Sequence, residues 1–153
     1  MLAGRVRSMQ VGTPAPLAWR RKTVMTAIVK HACAGPVRLA SGGLGGCDRQ
    51  GNLEAHGGPD KAACAYPVEH LPEWEQRLGV ELPPGAFGEN LSVEGLVESA
   101  VNVGDVFELG GAVVQVSQPR GPCYKLAARW GARELPSRMA KKGISGYYLR
   151  VLE

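Results

Sequence analysis

The sequence contains no long apolar run. None of its apolar stretches approaches the roughly 20 residues that a membrane-spanning helix needs. The start of the chain, Met1 to Val11, carries arginines at positions 5 and 7 and lacks the apolar core of a secretory signal peptide. We therefore expect a cytoplasmic protein with reduced thiols and without a membrane partner.

Several motifs of common binding sites are also missing. The four cysteines stand at positions 33, 47, 64 and 123, with no C-x-x-C pair, which argues against a zinc knuckle. The glycine-rich segment 42–46 lacks the Gly-Lys-Ser/Thr ending of a Walker nucleotide site. The net charge of +4 is not accompanied by a basic run with interleaved aromatics, so we expect no nucleic acid polymer as a partner. We also find no flavin or haem motif.

Glycine and proline are plentiful, with 21 and 11 residues spread along the chain without a collagen-like period. Many turns between short strands would explain them. Apolar patterning predicts strands over 4–11, 24–30, 37–39, 62–66, 91–93, 106–109, 112–116 and 144–152, and helices over 68–78, 126–130 and 133–142. Gly110-Gly111 predicts a tight hairpin between two of these strands. The pattern indicates a mostly β fold, in which a closed or partly closed barrel buries short strands and carries a few short peripheral helices.

The segment from Gln118 to Lys125 is the densest candidate for a site. Two prolines and a glycine form a stiff corner between a predicted strand and a predicted helix. This corner presents Cys123 between Arg120 and Lys125, and nearby cations favour a thiolate, which is both a nucleophile and a soft metal ligand. The alternative is a buried structural cysteine near a turn.

A second polar cluster runs from His56 to Lys61. Gly57 and Gly58 can turn consecutive N–H groups toward an anion, and His56 and Lys61 bracket them with further donors. The alternative is an ordinary surface turn built on the Pro-Asp pair.

In order along almost the whole chain, these pieces resemble the MOSC family, named after the C-terminal domain of molybdenum cofactor sulfurases. The closest resemblance is to stand-alone bacterial members linked to resistance against N-hydroxylated base analogues. Two of the resembling segments read His-Gly-Gly-Pro-Asp-Lys-Ala and Gly-Ala-Phe-Gly-Glu-Asn-Leu. The segments span 26–30, 43–44, 56–62, 66–70, 85–91, 104–105, 115–123 and 150–152.

The resemblance implies a single MOSC domain over 1–153, a β-barrel with a few short peripheral helices. It implies that Cys123 is the catalytic cysteine and the protein ligand to molybdenum, and that a pterin dithiolene supplies two further sulfurs. The cluster from His56 to Lys61 would lie near the pterin or its phosphate, with Arg120 and Lys125 as further cofactor-binding residues. Two departures stand out: Asn52 replaces an aspartate that relatives usually carry, and the helical C-terminal extension of longer relatives does not follow Glu153.

The resulting hypothesis is a molybdenum-cofactor-dependent reductase of N-hydroxylated compounds that receives electrons from a separate flavoprotein reductase. His56 or His70 is a candidate proton donor. The other three cysteines are expected to be replaceable, because none has the charged, proline-stiffened setting of Cys123. The alternative is a non-catalytic module that carries the molybdenum cofactor or sulfur. A flexible, exposed cysteine would favour the carrier, whereas a cysteine at the floor of a basic cleft would favour the reductase.

Overall fold

Short strands dominate the computed structural model, which describes residues 1–45, 48 and 56–153. Two 3₁₀ turns, Pro59–Lys61 and Val68–His70, flank the seventh strand. The strands are β1 (Arg5–Val11), β2 (Ala15–Trp19), β3 (Lys22–Thr26), β4 (His31–Ala32), β5 (Leu39–Ala40), β6 (Gly43–Leu44), β7 (Ala63–Pro67), β8 (Leu91–Glu94), β9 (Val106–Leu109), β10 (Ala112–Pro119) and β11 (Tyr147–Val151). The helices that the structure describes over their whole length are α1 (Leu71–Leu78), α2 (Tyr124–Trp130) and α3 (Leu135–Lys142).

Seven strands form one sheet in the order β4-β1-β8-β7-β11-β10-β9, which curls into a half-barrel. All neighbours in this sheet are antiparallel except β7 and β8, which run parallel. The hairpin predicted at Gly110-Gly111 is confirmed, because Leu109 pairs with Ala112 across it. The expected mostly β, partly closed barrel with a few short helices is therefore confirmed.

Both faces of the sheet are covered, and β7 shows this most clearly because all five of its residues are buried. Side chains alternate between the faces of a strand, so Ala65 and Tyr66 enter different cores. One core is formed by strand residues alone: Ala63, Ala65, Leu91, Val93, Val114, Val116, Tyr147 and Leu149. The other lies under the helices and is formed by Ile28, Tyr66, Trp74, Leu82, Ala86, Phe87, Leu126, Leu135 and Met139.

The N-terminal part differs from the prediction of one strand over 24–30. A separate hairpin, β2–β3, occupies this region, and Pro16 is accommodated because two-stranded hairpins have free edges. Its turn contains Arg20 with a φ of 56°. The strand ends at Thr26, whose Oγ1 accepts a hydrogen bond from the Ile28 N–H at 3.2 Å.

The three helices end as their sequences predict. Gly79, Gly131 and Gly143 each follow the last helical residue in the left-handed conformation, which glycine adopts without a steric penalty. Pro72 and Pro136 shorten the predicted helices from the front, because each occupies the first turn, where its missing N–H costs no hydrogen bond. Throughout the described part of the chain, the helices are too short or too polar to cross a membrane.

Candidate functional site

The proline-containing corner leaves Cys123 half-buried at the start of α2. Strand β10 continues to Pro119, and the Arg120 N–H then donates to the carbonyl of Gly146 at 3.0 Å. Helix α2 begins directly after Cys123, whose carbonyl accepts the N–H of Leu126 at 3.1 Å. The helix thus starts two residues earlier than predicted, and the thiol is held between a strand end and a helix start.

The turn after His56 is fastened against β10 and β11, close to this corner. Ser117 lies at a β-bulge in β10, and its hydroxyl donates to the carbonyl of Asp60. The Asp60 carboxylate pairs with Arg150 at 3.4 Å, and the Lys61 ammonium lies 5.4 Å from the centre of the Tyr148 ring. These contacts join two segments of the chain that are separated by more than 50 residues.

Together these elements enclose a cleft with two parts, which share His56, Lys61, Cys123, Lys125 and Tyr148. The outer cleft has a volume of about 410 Å³ and is completed by Gln118, Pro119, Gly121 and Tyr124. The inner chamber has a volume of about 40 Å³ and is completed by Thr26, Ala27, Ile28, Cys64, Gly88, Asn90 and Arg120.

The charged side chains that line the cleft in the described part of the chain are all cationic: Lys61, Arg120 and Lys125. Partial burial, followed by the positive charges of Lys125, Arg120 and Lys61, lowers the pKa of His56 to about 4. His56 is therefore a neutral imidazole at neutral pH, and the cleft attracts anions.

Arg120 is fixed at one end of its guanidinium and unpaired at the other. Its Nη2 donates to the carbonyl of Phe87, and Nη1 is buried without a hydrogen-bond acceptor among the described residues. The loop that carries Phe87 is itself held by Glu89, whose carboxylate oxygens accept the N–H groups of Gly85 at 2.9 Å and Phe87 at 3.0 Å. Burial opposes the charge of Arg120, but its neighbours Cys64, Tyr148 and Glu89 raise its pKa above that of an ordinary arginine.

Comparison with known proteins agrees with this architecture. The profile of the MOSC domain matches residues 52–153. The chain belongs to the MOSC family. This assignment confirms the resemblance that the ordered sequence segments indicated.

Individual MOSC relatives and related proteins are longer than this chain. YflK, an uncharacterized protein of Bacillus subtilis, is 48% identical over 148 residues, which cover 97% of this chain and 66% of YflK. The crystal structure of YiiM from Geobacillus stearothermophilus superposes with a TM-score of 0.79 at 40% identity, covering 99% of this chain and 69% of that one. A protein of Gibberella moniliformis named Reductase is 33% identical over 138 residues, which cover 85% of this chain and 24% of the fungal protein.

The MOSC fold brings some of the predicted site residues together and leaves others apart. His56, Lys61, Arg120, Cys123 and Lys125 all line the inner chamber, and their functional roles stay predictions. Gly57 and Gly58 do not line either part of the cleft, although the carbonyl of Gly58 accepts the Lys61 N–H at 3.1 Å. Asn52 and Cys47 lie outside the described residues.

His70 does not line either part of the cleft. Its Nε2 lies 2.6 Å from Glu98 Oε2, and its ring packs edge-on against Tyr66. The other Glu98 oxygen accepts the N–H of Gly146 at 2.8 Å, so the pair fastens the start of β11. This position is that of a structural histidine.

The expectation for Cys64 rested on a wrong premise. Its thiol lies in the inner chamber in the field of Arg120, so it has the charged setting that the sequence attributed to Cys123 alone. Burial raises the pKa of the Cys64 thiol, and the Arg120 guanidinium only partly opposes this shift. Cys64 is therefore a neutral thiol at neutral pH. The described cysteines Cys33, Cys64 and Cys123 form no disulfide with one another.

Sequence reasoning also missed Tyr148 and the residues from the 85–90 loop. The alternation of side chains along β11 could have indicated Tyr148. Tyr147 packs in the core that contains Ala63 and Ala65, so its neighbour Tyr148 must face the opposite side of the sheet, toward the cleft. Gly88 and Asn90 belong to a segment that carried the family resemblance without a local chemical signal. Their position follows from the parallel pairing of β7 and β8, which no local pattern encodes.

Proposed function

We propose that the cleft around Cys123 binds the molybdenum cofactor and that the loaded protein reduces N-hydroxylated compounds. The observation that carries this proposal is a half-buried thiol at the junction of two chambers whose described charged residues are all cationic. A cysteine in this setting matches the reductase hypothesis better than the carrier hypothesis, which would favour an exposed thiol on a flexible segment.

The residues of the cleft fit a cofactor that itself supplies most of the ligands to its metal ion. Among the described residues, no group of three or more His, Cys, Asp or Glu side chains could hold a metal ion, so Cys123 would act with ligands from the cofactor. A thiolate is the soft ligand that such a site requires. The outer cleft, at about 410 Å³, lies within the usual range for small-molecule sites.

Lys61, Lys125 and Arg120 would bind the anionic groups of the cofactor and stabilise negative charge next to Cys123. When bound, the cofactor would supply two electrons, which with two protons cleave an N–O bond and release an amine or amidine and water. His56 is neutral at neutral pH and can orient a substrate by hydrogen bonding but cannot act as an imidazolium acid. The ammonium groups of Lys61 and Lys125, which line both parts of the cleft, would then serve as proton donors.

We also propose that the electrons come from a separate flavoprotein reductase, because the chain has no flavin or haem motif. The similarity to part of a much longer fungal protein named Reductase supports a redox role for this type of domain.

The test is turnover of 6-N-hydroxylaminopurine or a simple amidoxime by protein made in a host that synthesises the cofactor. Product is followed by chromatography at matched molybdenum loading, with a chemically reduced donor. We expect wild type and the exposed-surface control Lys141→Ala to turn over, Cys123→Ser to be inactive, and Arg120→Ala to lose about 100-fold in kcat. Full loading of the wild type without turnover on any N-hydroxylated substrate, with several donors, would overturn the reductase and favour the carrier.

A further inference from the structure

The charges of this protein are unevenly distributed along the chain. The first 47 residues contain seven Lys and Arg residues but no Asp or Glu, whereas the remaining residues contain 11 Lys and Arg residues and 14 Asp and Glu residues. A second stretch without acids, 109–133, contains Arg120, Lys125, Arg129 and Arg133. The hairpin β2–β3 comes from the first stretch and helix α2 from the second, and β2 packs against α2. The fold therefore brings two basic, acid-free elements together.

The turn of the hairpin carries three consecutive cations, Arg20, Arg21 and Lys22. All three are exposed, none lines either part of the cleft, and none forms an ion pair with an acid in the described part of the chain. Arg20 has a φ of 56°, a conformation for which hairpin turns normally use glycine or asparagine. An arginine in this conformation costs stability, and residues that remain in spite of such strain are typical of functional sites.

Helix α2 continues this basic surface toward the cleft. Lys125 lines both parts of the cleft, and Arg129 lies one helical turn further along the same face of the helix. Arg133 follows after the end of the helix and is exposed. The next residue, Glu134, is an acid that already pairs with Arg138 at 2.9 Å. Arg129 and Arg133 have no acidic partner among the residues that the structure describes.

Both elements also connect the basic surface to the cleft. Strand β3 runs from Lys22 to Thr26, and Thr26 lines the inner chamber about 13 Å along the strand from the turn. Helix α2 begins directly after Cys123. A protein that binds to the hairpin and to α2 would therefore lie beside the cleft without filling it.

Two arginines of this surface are held against tryptophan rings. The guanidinium carbon of Arg20 lies 5.3 Å from the centre of the Trp19 ring, and that of Arg129 lies 4.9 Å from the centre of the Trp130 ring. Stacked arginines lose less rotamer freedom when they bind a carboxylate, for which their planar donors are well shaped. The stacking also occupies ring faces on which the bases of a nucleic acid would pack. The surface therefore favours an acidic protein as its partner.

We propose that the hairpin β2–β3 and helix α2 form the docking surface for an acidic flavoprotein that delivers electrons to the cleft. This inference rests on the proposed reductase function, which requires an external donor. Two electrons from reduced flavin, with two protons, would convert the N–OH group of the substrate to N–H and water. Opposite charges would steer the two proteins together, and a small electrostatic interface suits a donor that must bind and leave in each turnover.

The first experiment measures docking without turnover. The isotope-labelled protein is titrated with oxidised flavodoxin, a small acidic flavoprotein, at low ionic strength and followed by backbone amide NMR. We expect saturable shifts centred on 19–22 and on α2, which disappear at about 0.5 M salt because the charges are then screened. The absence of saturable shifts, or shifts centred on β9, would overturn the proposal. Binding to phosphatidylserine vesicles without any flavodoxin shift would overturn it in favour of a membrane surface.

A matched pair of variants separates this surface from the net charge of the protein. The hairpin variant is Arg20→Gln/Arg21→Gln/Lys22→Gln, and the control, which removes the same charge from other exposed positions, is Arg5→Gln/Arg7→Gln/Lys141→Gln. We expect the hairpin variant to weaken flavodoxin binding by about tenfold or more and the control by about twofold or less. Equal losses would show that only the net charge attracts flavodoxin, which would overturn the proposal.

The second experiment distinguishes this inference from the proposed function. The cofactor-loaded protein reduces an amidoxime with either reduced flavodoxin or reduced methyl viologen, a small donor that needs no docking surface. We expect the hairpin variant to lose about tenfold in kcat/KM for flavodoxin and to keep the wild-type rate with methyl viologen. A loss with both donors would overturn the docking surface. Wild type that fails with methyl viologen would overturn the reductase, while the NMR titration would still decide whether an acidic flavoprotein docks here.

Discussion

At the scale of single residues, the charges around the cleft act on one another. Lys125, Arg120 and Lys61 all lie near enough to His56 to disfavour its protonation, and its partial burial acts in the same direction. The imidazole therefore keeps its acceptor nitrogen at neutral pH, while the surrounding cations keep their donors. A ligand that enters this cleft meets hydrogen-bond donors from the cations and the neutral imidazole of His56, which donates from one ring nitrogen and accepts at the other.

The titration of His56 tests this arrangement. We expect its pKa at about 4 in NMR titrations, with the signal assigned by its absence in His56→Gln. Lys125→Met should raise this pKa, because it removes the largest electrostatic cause of the shift. Between the unperturbed value and about 4, the unfolded chain binds a proton at His56 that the folded chain does not, so His56 lowers stability as the pH falls through this window. A titration near pH 6.5 in the folded protein would contradict the described electrostatics.

Single residues also mark the limit of what the sequence could predict. The positive surroundings of Cys123 could be predicted because Arg120 and Lys125 are its neighbours along the chain. The setting of Cys64 was not, because Arg120 is distant in sequence and reaches it only through the sheet. Charge that acts through tertiary contacts has no local pattern, and this explains why one cysteine of the cleft was predicted and the other was missed.

At the scale of elements, the sequence predicted the ends of helices and strands correctly wherever the local backbone conformation requires one residue type. The hairpin at Gly110-Gly111 and the helix end at Gly143 are such cases, since both Gly110 and Gly143 adopt positive φ. The hairpin β2–β3 was missed because its turn uses Arg20 with positive φ, which an arginine rarely adopts. Pro16 in β2 also argued against a strand, because a strand tolerates proline only at a free edge.

Gly146 connects the sheet to the site and allows a test at this scale. Its φ is 82°, and a Cβ at this position would lie 2.5 Å from the carbonyl oxygen of Ala65 on β7. We expect Gly146→Ala to lower the free energy of unfolding by about 3 kcal/mol or more, from left-handed backbone strain plus overpacking against backbone. The measurement is urea denaturation.

Gly131→Ala is the matched control. Gly131 has a similar φ of 63°, but a Cβ there meets no atom within 4 Å. Its substitution should cost about 1 kcal/mol, from backbone strain alone. Equal losses in the two variants would mean that the close approach of Gly146 to β7 does not constrain this part of the fold.

At the scale of the whole molecule, the cleft is assembled from segments that lie far apart in the chain. The cleft is reached by residues after β3, the start of β7, the 85–90 loop, the end of β10 and the start of β11. The family profile begins at residue 52, yet β1 pairs with β8 in the same sheet and Thr26 to Ile28 line the inner chamber. The N-terminal part of the chain is therefore part of the candidate site as well as of the sheet.

The sequence predicted the mostly β fold and the meeting of Cys123 with the turn after His56, although the two lie far apart. The order of the resembling segments carried that second prediction, since no spacing or periodicity could. The division of the cleft into two chambers was not predictable, because it depends on how the 85–90 loop packs over β7. That packing rests on the buried Glu89, which local sequence does not distinguish from a surface glutamate.

The most direct test of the central claim is the molybdenum content of purified protein from a host that makes the cofactor. We expect wild type and the control Cys33→Ser to retain molybdenum, since Cys33 does not line the cleft. Cys123→Ser should lose about tenfold or more, because serine replaces a soft thiolate with a poor ligand for this metal. Equal molybdenum retention in Cys123→Ser and Cys33→Ser, with both variants folded, would contradict the claim that Cys123 holds the cofactor.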